Sequence, residues 1–414
     1  MTRLLQFELK KIWTSTLFRA LLLFFLIGII FYYVYTYMNT VRIQDMTLEI
    51  SERIHSTEQQ IKDISGEGTG GSEEVDFWNE FNKKDQAERL AYETEDWHTV
   101  LEMQVESIRP DLDSLISSRQ YYTYSFPTLF TEETRRASYR YMLEKQVTPI
   151  LPVDRYAWRT IYDLHYPVDG VADDDFLKDF VEDHSTLNSS TGTYFLKQVS
   201  VILFGLPGVI FFLFLFSDII TKEGLGTNGS IQLLRTQPIR RHSIITTKFF
   251  VVLLLSSFIL VGMALIALML GTLFDQFGDF NYPILVYGED YAFEFITMDT
   301  YLLKSVSLFS FVLLFSYALL FFFSYLTRRM ILALGLTIAT ILVGIQLSKQ
   351  AIGMGISHYL PFHYFSAPSI VNMEYAATIN NFNFTYTTGL SVLSISSILI
   401  IAVTYVVANA ENKW

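Results

Sequence analysis

The sequence predicts an all-α polytopic membrane protein, and three observations lead to this fold class. Of the 414 residues, 51% are hydrophobic and only 17% are charged, which is less charge than a soluble domain of this length carries. Several uncharged runs reach the roughly 18 residues that a helix needs to cross a bilayer. Outside one large acidic insert, nearly all of the Lys and Arg residues fall in the two tails and in alternate loops between the runs. We therefore predict six transmembrane helices with both termini in the cytoplasm.

Residues 1–19 are predicted to form an amphipathic helix that lies in the membrane surface. Leu5, Leu9 and Ile12 fall near one helical stripe, Trp13 adjoins it, and basic residues lie elsewhere. A frayed cytoplasmic tail is the alternative. Residues 20–38 form the first transmembrane helix, which we interpret as an anchor because no small-residue cleavage site follows it.

Residues 39–195 form a large, mainly helical extracellular domain between the first two spans. This insert holds 31 acidic and 15 basic residues, a net charge of −16, while the rest of the chain is +4. Blocks of opposite charge separated by a membrane are expected on opposite sides. The acidic charge also argues against nucleic-acid binding by this domain.

Apolar residues within the insert predict two long helices. Isoleucine and methionine recur at spacings of three, four and seven over residues 43–64, and a second stripe runs over residues 78–108. A glycine-rich loop separates them, so the two helices are predicted to pair as an antiparallel hairpin. Another helix is predicted over residues 135–146. The acidic run at Asp173 lacks the spacing of a calcium loop, and we interpret it as a solvated surface rather than a metal site.

The remaining spans follow in order. Residues 196–217 form a span kinked by Gly205, Pro207 and Gly208, and residues 249–348 form three transmembrane helices. Residues 389–414 form the last span and a cytoplasmic tail.

Residues 349–388 are too interrupted by glycine and proline for a full span. A re-entrant or interfacial helix pair on the extracellular side is the natural prediction, since broken backbone at membrane depth must be shielded by protein. His358 and His363 lie in this segment. Because no third ligand accompanies them, hydrogen bonding is favoured over a metal site.

Residues 218–248 form a basic, glycine-containing loop between the second and third spans. The loop carries five Lys or Arg residues against Asp218 and Glu223, so it is expected in the cytoplasm. Its apolar patch and Pro238 predict a turn, a short helix and a stop. Two interpretations remain open at this point: a docking surface for another protein, or an ordinary positive-inside loop.

The chain lacks the chemistry of several function classes. The apolar interiors of the six predicted spans contain no Asp, Glu, Lys, Arg or His, which argues against an ion-coupled transporter or a voltage sensor. No phosphate-binding loop of the G-x-x-x-x-G-K-[ST] type and no hydrolase motif appears, and there is no cysteine. We predict no enzymatic activity, no catalytic residue and no metal or cofactor in this chain. If the protein transports a substrate, another subunit must supply the energy.

The loop and the six-span layout resemble the membrane subunit of an ABC-2 type exporter, close to permeases that export sodium, antibiotics or peptides in Gram-positive bacteria. The motif E-G-x-G-T at Glu223 is followed by L-L-R-T-Q-P-I-R-R and by a lysine that opens the third span. Pro361 and Tyr364 resemble the outer helical hairpin of that family. The residues that the resemblance assigns to coupling with an ATPase are Glu223, Gly226, Thr227, Leu233, Leu234, Arg235, Thr236, Pro238, Ile239, Arg240, Arg241 and Lys248.

The resemblance implies a permease that works by alternating access and is driven by a separate ATPase. Two ATPase copies, which bind ATP and Mg, would dock on the coupling loop, and a second permease chain, identical or different, would complete a dimer among the lipids of a bacterial plasma membrane. The implied cargo is an amphipathic peptide, an antibiotic or a lipid-like molecule moved outward. The alternative is a non-transporting receptor or assembly protein whose acidic ectodomain senses a ligand.

Overall fold

A computed structural model describes most of the chain as helix. The described residues are 9–10, 12–67, 72–108, 112–118, 127–153, 159–164, 187–221, 241–327 and 329–410. The chain forms two compact units. Unit 1 contains residues 1–33, 196–273 and 286–414, and unit 2 contains residues 34–195 and 274–285.

The helices up to the third apolar run are numbered in chain order. They are α1 (Thr16–Met38), α2 (Ile43–Glu67), α3 (Ser72–Glu93), α4 (Trp97–Ser107), α5 (Leu112–Ser117), α6 (Leu129–Lys145), α7 (Ile161–Leu164), α8 (Gly192–Leu203), α9 (Leu206–Thr221) and α10 (Arg241–Phe274). After them come strands β1 (Pro283–Tyr287) and β2 (Phe293–Thr297), and helices α11 (Met298–Thr327), α12 (Met330–Gln350), α13 (Ala367–Val371), α14 (Glu374–Thr378) and α15 (Tyr386–Ala410). Short 3-10 turns occupy Glu289–Tyr291, Ser357–Tyr359 and Pro361–Phe365.

Long apolar helices confirm the predicted fold class at the level of a mostly helical, multi-pass membrane protein. Five helical stretches of the described chain are long and apolar enough to cross a membrane, and the count becomes six if α8 and α9 form one bent span. The first stretch includes both α1 and α2, over Thr16–Ser65. The sidedness of the termini and the extracellular location of the insert stay predictions.

Helix α11 lies at the centre of unit 1. It packs against α9, α12, α13 and α15, and its core side chains include Leu308, Phe309 and Val312, all fully buried. Helix α10 meets it through a polar contact, since the hydroxyls of Ser256 and Tyr317 lie 2.7 Å apart. Such a bond leaves neither hydroxyl unsatisfied in an apolar surrounding, which suits the interior of a helix bundle.

The predicted helical hairpin is present in unit 2. Helices α2 and α3 pack along their length, and the face of α2 that carries Met46, Ile50 and Ile54 is buried. Their spacing of four residues places them on one helical stripe, as the pattern predicts. The second stripe fits less well, because Phe81 and Leu90 are exposed. The second helix also breaks: Asp96 caps a new helix, α4, by accepting a hydrogen bond from the Thr99 amide at 3.3 Å.

A carboxylate fixes the start of α6. Thr128 caps this helix, and Asp163 accepts hydrogen bonds from the Thr128 amide at 2.8 Å and the Thr160 amide at 2.7 Å. The helix begins six residues before the predicted 135 because this capping network, invisible to hydrophobic periodicity, satisfies its first turn. It ends at Lys145, and Gln146, in the left-handed conformation, caps the last turn.

A β-hairpin corrects the all-α prediction. Strands β1 and β2 form a two-stranded sheet within residues 249–348, where only three transmembrane helices were expected. The segments PILVY and FEFIT are rich in β-branched and aromatic residues and flank the turn sequence Gly288-Glu289-Asp290. That signal was available from the sequence, but the strands are only five residues long and stand beside much stronger transmembrane signals.

An ion-pair network joins the two helices of the hairpin. Arg53 of α2 contacts Asp85 at 3.1 Å and Glu88 at 2.6 Å, both on α3, and Gln104 donates to Glu88 at 2.9 Å. Burial raises the pKa of Glu88 above its usual value, against the opposing effect of Arg53. A carboxyl with a raised pKa stabilises the folded hairpin when it is protonated, and that contribution is lost as the pH rises through the raised pKa.

We expect Arg53→Met to loosen the hairpin by about 1–2 kcal/mol at neutral pH, because it leaves two carboxylates close together without their cation. The cost is smaller than for a fully buried pair because Arg53 is 41% exposed. Acidification should reduce the effect, since protonated Glu88 no longer needs the cation. Hydrogen–deuterium exchange of residues 43–93 in the full chain measures it.

Arg89→Met is the matched control. Arg89 lies on α3, the other helix of the hairpin, and pairs with Glu93 at 3.2 Å between exposed side chains, so its loss should change exchange little. Equal exchange in the two variants at neutral pH would contradict the structural role given to Arg53.

Candidate functional site

The predicted coupling loop is described only at its two ends. Helix α9 ends at Thr221 and α10 begins at Arg241. Ten of the predicted coupling residues lie outside the described residues: Glu223, Gly226, Thr227, Leu233, Leu234, Arg235, Thr236, Pro238, Ile239 and Arg240. Arg241 is the first residue of α10, and Lys248 lies two turns further along it, 4% exposed and in contact with other groups of the chain. Lys248 therefore contributes to the packing of its own chain.

The interrupted segment, residues 351–385 between α12 and α15, is the part of the predicted site that the structure describes completely. It contains two 3-10 turns and the five-residue helices α13 and α14, instead of a pair of longer helices. Pro361 and Pro368 each occupy the first or second position of their short helix, where the missing N–H costs nothing. Because proline also restricts the residue before it to extended backbone, Pro361 keeps Leu360 extended, and Leu360 separates the two 3-10 turns.

Tyr364 connects this segment to its surroundings. Its side chain is fully buried, and its hydroxyl donates a hydrogen bond to the carbonyl oxygen of His358 at 2.7 Å. The ring lies so close to α15 that a Cβ atom at Gly389 would stand 2.6 Å from its Cδ1. Burial raises the pKa of Tyr364, so the hydroxyl stays a neutral donor. The structure thus gives the predicted residues Pro361 and Tyr364 a clear structural role, at the start and in the middle of one turn.

His363 confirms the hydrogen-bonding interpretation of this histidine. Its Nδ1 atom lies 2.5 Å from the Tyr375 hydroxyl, and its ring packs edge-on against Phe384, with centroids 4.8 Å apart. Burial lowers the pKa of His363, which favours the neutral ring. Among the described residues no group of three or more His, Cys, Asp or Glu side chains could hold a metal ion. The acidic run at Asp173 lies outside them.

The break in the second span adjoins the interrupted segment. Helices α8 and α9 meet at 72°, as the Gly205, Pro207 and Gly208 pattern predicts for a kink. Gly208 is required there, because a Cβ atom would lie 1.7 Å from the Leu203 carbonyl oxygen. The carbonyl of Phe204, at the break, accepts a hydrogen bond from the Ala367 amide at 3.1 Å. The interrupted segment therefore satisfies a backbone group that the kink removes from regular helix.

Phe362 packs the same segment against α12. Its ring lies 2.6 Å from the position that a Cβ atom of Gly344 would occupy, and it contacts Phe315 of α11 with centroids 5.5 Å apart. A second backbone bond, from the Tyr287 amide to the Asn372 carbonyl at 3.0 Å, joins β1 to the segment. Sequence reasoning missed Phe362, His363 as a partner of Tyr375, and Asn372. Only the glycine at 344, opposite an aromatic-rich segment, offered a weak signal.

The comparison with protein families decides the identification. A family model described as "ABC-2 family transporter protein" matches residues 4–410, nearly the whole chain. The chain belongs to the ABC-2 transporter family. The comparisons with curated proteins and with solved structures give no match. The family supports an ABC-2 type permease, the transmembrane component of an ABC transporter, and it agrees with the several apolar helices of a multi-pass membrane protein.

We expect Gly344→Ala to destabilise this ABC-2 protein by about 1–3 kcal/mol, because the added methyl group must displace the Phe362 ring. Gly335→Ala is the control on the same helix, where a Cβ atom meets nothing within 4 Å. That variant should be neutral or gain up to about 1 kcal/mol from helix propensity. Thermal unfolding in detergent, followed by size-exclusion chromatography, compares the two.

Replacing the Phe362 ring with a smaller side chain tests whether the ring causes this loss of stability. Gly344→Ala combined with Phe362→Leu should recover part of the lost stability, because the leucine side chain gives up the space that the methyl group needs. Additive losses in the double variant would show that the two residues do not interact as described.

Proposed function

We propose that this chain is the permease subunit of an ATP-driven ABC exporter and that a separate ATPase docks on residues 218–248. The observation that carries the proposal is a basic, motif-bearing loop in an ABC-2 family chain that has no phosphate-binding loop of its own. A permease without nucleotide-binding residues must receive its energy through protein contact. The loop between α9 and α10 is the place where the sequence concentrates charge and motif for such a contact.

Charged and apolar residues of the loop would make different contributions to docking. Arg235, Arg240 and Arg241 offer planar guanidinium groups that pair well with carboxylates on a partner surface. Leu233, Leu234 and Ile239 would fill an apolar groove on the ATPase. Arg241 starts α10, so a force applied at the loop would act directly on the end of a 34-residue helix. ATP and Mg would bind to the ATPase, and this chain would contribute no ligand to either.

A dimer of permease chains above two ATPases would move cargo by alternating access. The outward direction, the bacterial plasma membrane and a dimer of identical or different chains follow from the resemblance to peptide and antibiotic exporters. Aromatic and aliphatic side chains dominate the span surfaces, for example Phe250, Phe258 and Ile331, all exposed in the single chain. Such surfaces suit contact with lipid, with a second permease, or with an amphipathic peptide, antibiotic or lipid-like cargo.

A receptor that senses a ligand without transporting it is the second candidate. Unit 2 favours it, because residues 34–195 and 274–285 form a compact unit of their own that could bind a ligand. The two functions differ in one measurable property. A permease stimulates ATP hydrolysis by its partner and moves cargo, whereas a receptor transmits a signal with no net transport.

We expect the double variant Arg240→Glu and Arg241→Glu to lose its ATPase, because reversed charges would repel an acidic docking surface. Co-purification from the native cell should fall by about tenfold or more, in line with the loss of contacts to charged hot-spot residues. Arg329→Glu, which reverses an exposed charge preceding α12, is the matched control and should retain the ATPase.

Two results would contradict this proposal. One is ATPase co-purification and stimulation at the wild-type level in the double variant. The other is cargo transport by purified permease in vesicles that contain no ATPase at all.

A further inference from the structure

Two phenylalanines on helix α3 of unit 2 face solvent. Phe77 is 61% exposed and Phe81 is 39% exposed. They lie one helical turn apart and share a face. The neighbouring Trp78 contacts both rings edge-on, with centroids 5.4 Å from Phe77 and 6.1 Å from Phe81. The three rings form a continuous aromatic ridge, and we use that name for Phe77, Trp78 and Phe81.

The aromatic ridge is not part of the hairpin core. The contact between α2 and α3 uses the buried residues Met46, Ile50 and Ile54 on one side and the ion-pair network at Asp85 on the other. Phe81 lies within the apolar stripe predicted over residues 78–108, but the structure leaves it open to solvent. Exposed large aromatic side chains in a cluster, rather than singly, indicate a binding surface.

Acidic side chains surround the aromatic ridge. Residues 73–84 include four carboxylates and two lysines, and Glu73, Glu74, Asp76 and Glu80 are all exposed. One lysine, Lys84, is already paired with Glu80 at 3.3 Å. Glu73, Phe77 and Phe81 recur every four residues, and Glu74 and Glu80 fall on either side of them, so these two rings share one face of the helix with Glu73, Glu74 and Glu80.

We propose that this face of α3 binds a cationic amphipathic peptide. Lysine and arginine side chains of such a peptide would pair with Glu73 and Glu74, and they can also lie over the aromatic rings. The apolar face of the peptide would cover Phe77 and Phe81, as an amphipathic helix covers apolar surface on its partner. An acidic ring around an apolar centre has the anatomy of a protein interface with a polar rim.

Charge argues against the other occupants. A second copy of this chain would bring its own carboxylates against the same four carboxylates, and like charges at close range oppose association. Anionic lipid headgroups would meet the same repulsion. Only a cationic partner gains from both the rings and the charges.

This inference deepens the proposed function by naming a peptide class for the outer face of the transporter, and it rests on that function only for the location of unit 2 outside the cell. Binding itself needs no ATPase. Loss of peptide binding and loss of ATPase docking are therefore separate measurements, and either can fail alone.

Full-length protein in phosphatidylcholine nanodiscs is titrated with a fluorescent, helix-forming peptide of leucine and lysine. Empty nanodiscs give the lipid background. We expect saturable binding that weakens as salt increases, because exposed ion pairs are screened. The same peptide with glutamate in place of lysine should not bind above background. Equal binding of the two peptides, or binding that does not exceed empty nanodiscs, would overturn the proposal.

Substitutions on α3 test whether the peptide binds at the aromatic ridge. Phe77→Ser should weaken binding about tenfold, as loss of an aromatic anchor does at interfaces, and Glu73→Lys with Glu74→Lys should weaken it at least as much at low salt. Leu90→Ser is the matched control, since Leu90 is 60% exposed on the same helix and outside the ridge, and its affinity should stay within about twofold. Unchanged size-exclusion profiles show that each variant is folded. Equal affinities for Phe77→Ser and Leu90→Ser, or loss of a dimer in Phe77→Ser, would overturn the assignment.

Discussion

Backbone hydrogen bonding at the break in the second span is the constraint on which unit 1 depends. A carbonyl or amide at membrane depth must find a partner in the protein, because lipid offers none. The kink between α8 and α9 takes the Phe204 carbonyl out of regular helix, and the Ala367 amide of the interrupted segment replaces the lost partner. The broken helix therefore depends on the interrupted segment for a backbone hydrogen bond.

Side-chain packing stabilises this contact between the broken helix and the interrupted segment. Phe204 stacks on Phe309 of the central helix α11, with ring centroids 5.0 Å apart. On the other side of the segment, Tyr364 reaches its own backbone and the glycine at 389, and Phe362 occupies the space beside the glycine at 344. Two glycines on two long helices thus make room for two aromatic rings. The segment has little regular secondary structure, but its side chains make several packing contacts with the long helices.

Sequence reasoning predicted those features that depend on local chemistry. Length and hydropathy gave the spans, Pro207 and its glycines gave the kink, and the spacing of Met46, Ile50 and Ile54 gave the buried face of α2. Features that depend on a distant partner were not predictable. Nothing near Ala367 indicates that its amide faces Phe204, and nothing near His363 indicates Tyr375. Phe81 fitted the helical period but lies outside the buried face, because periodicity alone does not say how wide that face is. For the coupling loop, the roles of Arg235 and Arg240 come from motif resemblance.

The hydrogen bond between the Phe204 carbonyl and the Ala367 amide also limits which insertions and deletions the protein tolerates. Residue 367 supplies an N–H, but its neighbour Pro368 has none. A register shift of one residue that brought Pro368 opposite the carbonyl would remove the donor. Single-codon deletions just upstream of this point should consequently be tolerated less well than a small replacement such as Ala367→Gly, which keeps the same N–H and adds no atoms to this buried position.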